Sequence, residues 1–563
     1  MTIRTLYVTA PDGVRLATDV CLPRSSGPHP TVVIRTPYGR TAHRAELRGW
    51  AAHGFAAVAQ DVRGRHGSEG KWHPYRSHEE EDGAATMSWV RGHVWSNGRV
   101  VAAGASYAAY CALVTAVTGD GGDGGDGTPD AVIAAVPALS LAETAREATG
   151  PERLRARAGW WTAHGDRPDS DPDALETALA RDPRLLEHLP VSGLGNRLDR
   201  ELPSWTRVWD DCRRGRLVLH GAAARMPLLA VGGTRDPFAE DTVALWRGWG
   251  GPSRLLLGPW GHRLTAGEEP AAHGRINLGT LYVRWSKAAL AGRLEHTRRG
   301  VIALGGSGRW YRAPGPDDGP CPETADAVRR QVLTGTGRPG TDRTTPPSPP
   351  PSRTAQCARG EGTAPSGIRG AASTRPTVWA FGTPTGLRLL HGADFTADPA
   401  QPVRSDDLVV PAGGDGADRC VLLSRPLARP LDLAGHAEAR IRGVTDGPCA
   451  DWAVRVTALD PSGRAEPLAF GIVRRTDPPG DAVGITVPLG TLGRRLDAGT
   501  RLRVEIAGHH FPAHARNPHT GENPVTATRL TPSRRTVLTG GSALVLPVTA
   551  RRRYVEPVPE ICR

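Results

Sequence analysis

An α/β fold with an all-β domain behind it is what this sequence predicts, and three observations carry the prediction. In the first half, short β-type runs at 31–34, 55–61, 99–103, 131–136, 226–233 and 253–258 alternate with helical stretches. That order argues for a mostly parallel sheet in a three-layer arrangement. Between the fourth and fifth of these runs, residues 138–222 form a largely helical insertion carrying Trp160, Trp161, Trp205 and Trp209. From 378 to 563, Val-, Leu- and Ile-containing runs recur between Gly, Pro and Asp turns, the pattern of a jelly-roll sandwich. The expected organisation is an α/β core at 1–137 and 223–312, a helical cap at 138–222, a linker at 313–377 and a jelly-roll domain at 378–563.

Each element has a local reason. Thr5 to Ala10 enters a strand pattern almost at once. Glu79 to Arg91 is amphipathic at helical period, with Met87, Trp89 and Val90 inward. Tyr107 to Val117 is Ala-rich without Gly or Pro, a buried helix. Glu240 and Asp241 precede a helical run from Thr242, where a helix dipole favours negative charge. The stretch 120–127 repeats Asp every third residue and lacks the alternate-residue oxygens of an EF-hand, so a surface loop is expected there and not a calcium site. From about 334 to 377 the chain is rich in Pro, Gly, Ser and Thr and has too little apolar side chain to form a core; it is expected to be extended or disordered.

Chemistry concentrates at Gly104-Ala105-Ser106-Tyr107, between the strand at 99–103 and the helix at 107–117. A serine on a sharp strand-to-helix turn is the nucleophile elbow of α/β-hydrolases, whose tight turn needs small neighbours. A nucleophilic serine requires a base, and the base an orienting carboxylate, in the chain order Ser, Asp, His at strand ends. Asp236 follows the strand at 226–233 and His262 the strand at 253–258. Stabilising the oxyanion takes donors. The backbone N–H of Tyr107 is one candidate, and the phenol of Tyr38, after the strand at 31–34, is the other, since no HGGG-type run occurs there. Phe238, Trp160 and Trp161 are candidates for lining a substrate pocket, with cap packing the alternative for at least one of the tryptophans.

The chain resembles the CocE/NonD family, the cocaine esterase and X-prolyl dipeptidyl peptidase type of serine hydrolases. The resemblance rests on Arg35-Thr36-Pro37-Tyr38, Gln60-Asp61-Val62-Arg63-Gly64, Ser68-Glu69-Gly70 and Trp95-Ser96-Asn97-Gly98-Arg99-Val100. It continues through Gly104-Ala105-Ser106-Tyr107, Asp236-Pro237-Phe238 and Gly258-Pro259-Trp260-Gly261-His262. Asp451-Trp452, Asp460-Pro461-Ser462-Gly463-Arg464 and the run from Phe511 to Glu522 resemble the family's jelly-roll domain. It implies Ser106, Asp236 and His262 as the triad and Tyr38 with the Tyr107 amide as the oxyanion hole. Two positions depart from the family pattern. Ala109 stands where a glycine is usual, and Gly233 where an aromatic is usual, which predicts a roomier pocket beside the acid.

Composition narrows the function classes. The chain has 563 residues and a net charge of +12, carried almost wholly by arginine. These arginines are dispersed among Asp and Glu, which argues against a nucleic-acid surface. No apolar run reaches membrane-spanning length and no signal-peptide pattern opens the chain, so a cytoplasmic location without membrane attachment is expected. Eight cysteines show no C-x-x-C pair and read as reduced thiols, and the histidines at 509, 510, 514 and 519 read as loop residues and not as a metal site. No cofactor or metal is expected. The partner is a small ester or amide, and a homodimer is compatible with the chain. The leading expectation is a serine esterase or amidase working through acyl-Ser106. Acyl transfer and X-prolyl dipeptide cleavage are the alternatives, and a non-catalytic scaffold ranks last.

Overall fold

The computed structural model describes residues 1–75, 78–117, 125–198, 201–210, 213–264, 276–313, 375–410, 416–549 and 554–563. Most of the Gly-rich stretch at 120–127 and nearly all of the Pro-rich stretch at 334–377 lie outside them.

The first half builds one ten-stranded sheet. In chain order its elements are β1 (Ile3–Thr9), β2 (Arg15–Cys21), β3 (His29–Thr36), α1 (Arg44–Ala52), β4 (Ala56–Asp61), α2 (Glu79–Arg91), β5 (Ser96–Ala105), α3 (Tyr107–Val117) and β6 (Ala131–Ala135). Then follow α4 (Leu141–Ala145), α5 (Leu154–His164), α6 (Ala174–Arg181), α7 (Arg216–Gly221), β7 (Leu228–Gly233), α8 (Ala239–Gly248), β8 (Ser253–Gly258), α9 (Leu278–Leu290), β9 (Arg298–Leu304) and β10 (Arg309–Arg312). The spatial order is β1-β2-β4-β3-β5-β6-β7-β8-β9-β10. Strands from β4 across to β9 run parallel, with antiparallel pairings at both edges.

Both faces of this sheet are apolar, and the two-residue period decides which side chain meets which layer. Val33, Val58, Val100, Ala102, Val132, Leu228 and Leu255 pack with α2, α3, α7 and α8. Their neighbours Val32, Ile34, Ala57, Val101, Ile133, Leu229 and Leu256 pack on the other side with α1 and α9. Strand order reverses between β3 and β5, and in open α/β sheets such a switch point opens a crevice at the carboxyl ends of the strands.

Between β6 and β7 the chain forms α4 to α7 with 3₁₀ turns at Leu185–Glu187, Val191–Arg197 and Trp205–Trp209. Trp161, Trp205, Trp209, Leu154 and Leu175 make this segment's own apolar cluster, joined by Phe511 and Val525 from the C-terminal domain. Its last helix, α7, belongs elsewhere in packing terms, because Leu217 inserts into the core under the sheet.

Ten strands complete the chain: β11 (Arg375–Ala380), β12 (Leu387–His391), β13 (Asp394–Ala397), β14 (Arg419–Ser424), β15 (Leu431–Thr445), β16 (Ala450–Leu459), β17 (Ala465–Arg475), β18 (Val483–Leu496), β19 (Arg501–Ala507) and β20 (Ser533–Val548). They form two five-stranded antiparallel sheets, β11-β20-β15-β18 with β13 on β20, and β12-β14-β19-β16-β17. Trp452, Val454, Val504, Leu433, Val487 and Leu544 meet between them, the sandwich that the recurring apolar runs between turns predict. A short last helix, α10 (Pro557–Cys562), returns to the α/β sheet, where Ile561 is fully buried beside Leu281 and Trp285. Among the described residues no helix is long and apolar enough to cross a membrane.

Candidate active site

Ser106 sits between β5 and α3 with φ +58°, a left-handed conformation that is strained for any residue but glycine. The turn closes because Gly104 is bare: a Cβ there would overlap the carbonyl of Ala108. Ala109, the departure from the family pattern, is completely buried in α3 and accommodated without a break in the helix.

The three residues expected at strand ends come together. His262 Nε2 lies 3.0 Å from Ser106 Oγ, and His262 Nδ1 lies 2.9 Å from Asp236 Oδ1. Asp236 is buried and His262 is partly exposed, so the relay runs from the interior to the cleft. Backbone bonds fix the two loops to each other. The N–H of Thr234 donates to Gly258 O at 2.9 Å and that of Arg235 to Trp260 O at 3.0 Å. Gly233 permits this approach, since a Cβ there would collide with the Trp260 carbonyl. At Gly233 itself the missing side chain leaves no added room, because the Trp260 backbone fills that space.

Tyr38 and Tyr107 converge on Ser106. The Tyr38 hydroxyl donates to Ser106 Oγ at 3.2 Å, and the Tyr107 backbone N–H points to the same phenol oxygen at 3.3 Å. Burial pushes the Tyr38 phenol above its ordinary value, so it keeps its proton and remains a donor at neutral pH. A third contact escaped the sequence reading: Trp160 Nε1–H donates to the Tyr38 oxygen at 3.3 Å. Trp160 is thus at the site, whereas Trp161 is 2% exposed and bonds Ser204 Oγ at 3.1 Å inside the cap. Phe238 presents its ring edge-on to His262, with centroids 5.3 Å apart.

Buried polar groups hold these donors in place. Asp61, at the end of β4, accepts from the Arg40 N–H at 2.6 Å and the Gly67 N–H at 3.1 Å, while Arg65 Nε donates to Pro37 O at 2.9 Å. This fastens the Tyr38 loop to the Gln60-Asp61-Val62-Arg63-Gly64 motif. On the other side, Tyr107 donates its hydroxyl to Glu79 Oε1 at 2.8 Å, and Arg35 pairs with Glu79 at 3.2 Å. In the sequence Glu79 only opens the amphipathic stretch Glu79 to Arg91. Burial raises its carboxyl above the usual range in spite of the Arg35 charge.

Glu240 and Asp241 stand in the first turn of α8, away from the imidazole. Glu240 Oε1 accepts from the Thr491 N–H at 2.6 Å, and Asp241 pairs with Arg214 at 3.0 Å. The four C-terminal histidines serve packing: His514 bonds Glu147 at 3.0 Å, His510 stacks on Phe470, and His509 lies against His519. The five cysteines among the described residues are unpaired.

Comparison with known proteins fits this geometry. The X-Pro dipeptidyl-peptidase (S15 family) model matches residues 12–263, and the X-Pro dipeptidyl-peptidase C-terminal non-catalytic domain matches residues 341–544. Cocaine esterase from Rhodococcus sp. (strain MB1 Bresler) is 24% identical over 577 residues, spanning 91% of each chain. The two family matches together span the catalytic and the C-terminal parts, and in both the chain is similar to CocE/NonD-type, X-Pro dipeptidyl-peptidase-like hydrolases. It is a serine hydrolase. Solved structures share the fold along nearly the whole length. An α-amino acid ester hydrolase superposes with TM-score 0.71 at 17% identity, covering 97% of this chain and 96% of that one. An aminopeptidase from a marine sediment Thaumarchaeota archaeon gives 0.69 at 19% identity, covering 98% and 96%. A CocE/NonD family hydrolase from Staphylococcus aureus gives 0.55 at 13% identity, covering 97% and 93%.

Proposed function

We propose that this hydrolase cleaves a small ester or amide through an acyl-Ser106 intermediate, with His262 as general base, Asp236 as its orienting acid, and Tyr38 with the Tyr107 N–H as the oxyanion hole. The observation that carries the reading is the relay from Asp236 Oδ1 through His262 to Ser106 Oγ, at 2.9 and 3.0 Å. Nε2 takes the Ser106 proton as Oγ bonds to the substrate carbonyl carbon, and Asp236 keeps the Nδ1–H tautomer and stabilises the imidazolium. Negative charge then develops on the carbonyl oxygen, where the Tyr38 O–H and the Tyr107 N–H both reach. The bond to the leaving group breaks, and that group departs with the proton from Nε2. Water, deprotonated by the same nitrogen, attacks the acyl carbon and releases Ser106.

Acyl transfer differs only in the second attacking group, and X-prolyl dipeptide cleavage only in the leaving group and the substrate amine. A panel of aryl esters, aryl amides and X-Pro dipeptide anilides, with and without amine acceptors, separates the three. The expected result is turnover of esters, and of amides more slowly, with no amine dependence of the product. Transfer to the amine as the main product would replace hydrolysis with the second reading. The relay has no step for a cofactor, and the reading places a cytoplasmic enzyme on a small-molecule substrate.

A further inference from the structure

Two buried arginines stand at the start of α5, the helix whose Trp160 reaches Tyr38, and their charges are unequally balanced. Arg153, at its N-terminal boundary, is 8% exposed; Arg157, one turn on, is 2% exposed. Arg153 spends Nε and Nη2 on Glu147, at 2.8 and 2.7 Å, but its buried Nη1 makes no hydrogen bond among the described residues. Arg157 meets no carboxylate among the described residues. Its Nη2 donates to Leu141 O at 3.2 Å and to the Thr144 hydroxyl, its guanidinium lies 5.6 Å from the Trp161 ring, and its buried Nε is unpartnered. Tyr75 is close to Arg157, yet burial holds that phenol well above its ordinary value, so it is no counter-ion. Arg157 itself is pulled down to about 10 by burial and remains a cation at neutral pH.

A buried guanidinium without an anion is a costly arrangement. The acids around Arg157 are engaged elsewhere, although Asp236, which acts on Arg153 over a longer range, keeps a buried Oδ2 without a hydrogen bond among the described residues. Glu147 holds Arg153 and His514, Asp241 pairs with Arg214, and Glu143 accepts from the Gly215 N–H and the Ser140 hydroxyl. The helix that carries this cation also reaches the chemistry. Trp160, three residues beyond Arg157 and so on the same side of α5, bonds Tyr38, whose hydroxyl bonds Ser106. Arg153 lies 5.5 Å from the Phe238 ring, which abuts His262.

Resting on the acyl-Ser106 reading, we infer that Arg157, with the free Nη1 of Arg153, forms a subsite for a carboxylate carried by the substrate. The substrate class is then an ester or amide with an anionic group, bound by charge-assisted hydrogen bonds to guanidinium N–H groups.

The test compares mono-4-nitrophenyl adipate with 4-nitrophenyl hexanoate, which matches its acyl length without the charge. A second pair, 4-acetoxybenzoate and phenyl acetate, places the carboxylate on the leaving group instead. In one of the two pairs kcat/KM is expected to favour the anion by about 10- to 100-fold, the range of a hydrogen bond to a charged group. Arg157→Met is expected to shrink that ratio toward one and to raise Tm, because it removes an uncompensated buried charge; Arg157→Lys retains part of the preference. Adipate, or 4-hydroxybenzoate for the second pair, is expected to raise the Tm of Ser106→Ala but not of Ser106→Ala with Arg157→Met. That readout needs no turnover and so stands apart from the catalytic reading. Equal kcat/KM within both pairs, a preference for a cationic alanine ester over neutral ones, or an Arg157→Met protein with lower Tm and an unchanged ratio would each overturn the subsite.

Discussion

The Tyr38 hydroxyl is the group whose role depends most on its surroundings. It bonds Ser106 Oγ, it is approached by the Trp160 and Tyr107 N–H groups, and burial keeps it protonated. Tyr38→Phe deletes one oxyanion donor and leaves the ring in place. Its kcat is expected to fall on the order of 10²–10³, with KM little changed and Tm within about a degree of the parent. Parent-like turnover would reduce Tyr38 to a packed aromatic after Pro37 and hand the oxyanion role to a backbone N–H in its loop. The residues proposed to perform bond-making were legible in the sequence because each stands in a short local motif at a strand end. Glu79, Arg153 and Arg157 were not legible. Their character comes from burial, which is set by contacts that no local motif announces: Arg35 and Tyr107 around Glu79, and Leu141, Thr144 and Trp161 around Arg157.

Among the elements, the turn after β7 shows how a missing side chain can be a requirement. Gly233 lets the Trp260 carbonyl approach, and the Arg235 N–H bonds that carbonyl at 3.0 Å, so the acid loop and the histidine loop share one support. Gly233→Ala forces backbone apart and is expected to cost about 1–3 kcal/mol of stability. Because the displaced segment ends in His262, kcat should fall with it; a variant with parent-like Tm and kcat would show that the loops tolerate the shift. Short apolar runs set between helical stretches made β3 to β8 readable, and runs between Gly, Pro and Asp turns did the same for the sandwich. It served the cap less well. Its helices are short and interrupted by 3₁₀ turns, and its apolar cluster borrows Phe511 and Val525 from the far end of the sequence.

On the scale of the molecule, the α/β core and the sandwich are fastened by specific bonds. Glu240, expected from sequence to favour a helix start, spends a carboxylate oxygen on the Thr491 N–H at 2.6 Å. Glu240→Ala is expected to lose about 1.5–3 kcal/mol, the range for a charge-assisted bond, while kcat/KM stays within about twofold. Large kinetic loss without destabilisation would instead put Glu240 in the chemistry. A pH dependence follows from the turn after β19. Burial pulls His509 down to about 4 and His519 to about 2 from an ordinary 6.5. Between about pH 6.5 and 4 the unfolded chain binds protons that the folded chain refuses, so stability is full above that window and falls as pH drops through it. The slope approaches about 1.4 kcal/mol per pH unit for each imidazole. His509→Gln with His519→Gln should flatten Tm against pH there; an unchanged profile would assign acid lability to other groups.

Labelling by a fluorophosphonate tests the central claim most directly, because the probe needs a nucleophile activated by its base and stabilised as an oxyanion. Peptide mapping after labelling should find the adduct on Ser106 alone. Labelling should be abolished in Ser106→Ala and slowed by orders of magnitude in His262→Ala, with both proteins folded by circular dichroism. An adduct on another serine, or undiminished labelling of Ser106→Ala, would contradict the assignment of Ser106, Asp236 and His262.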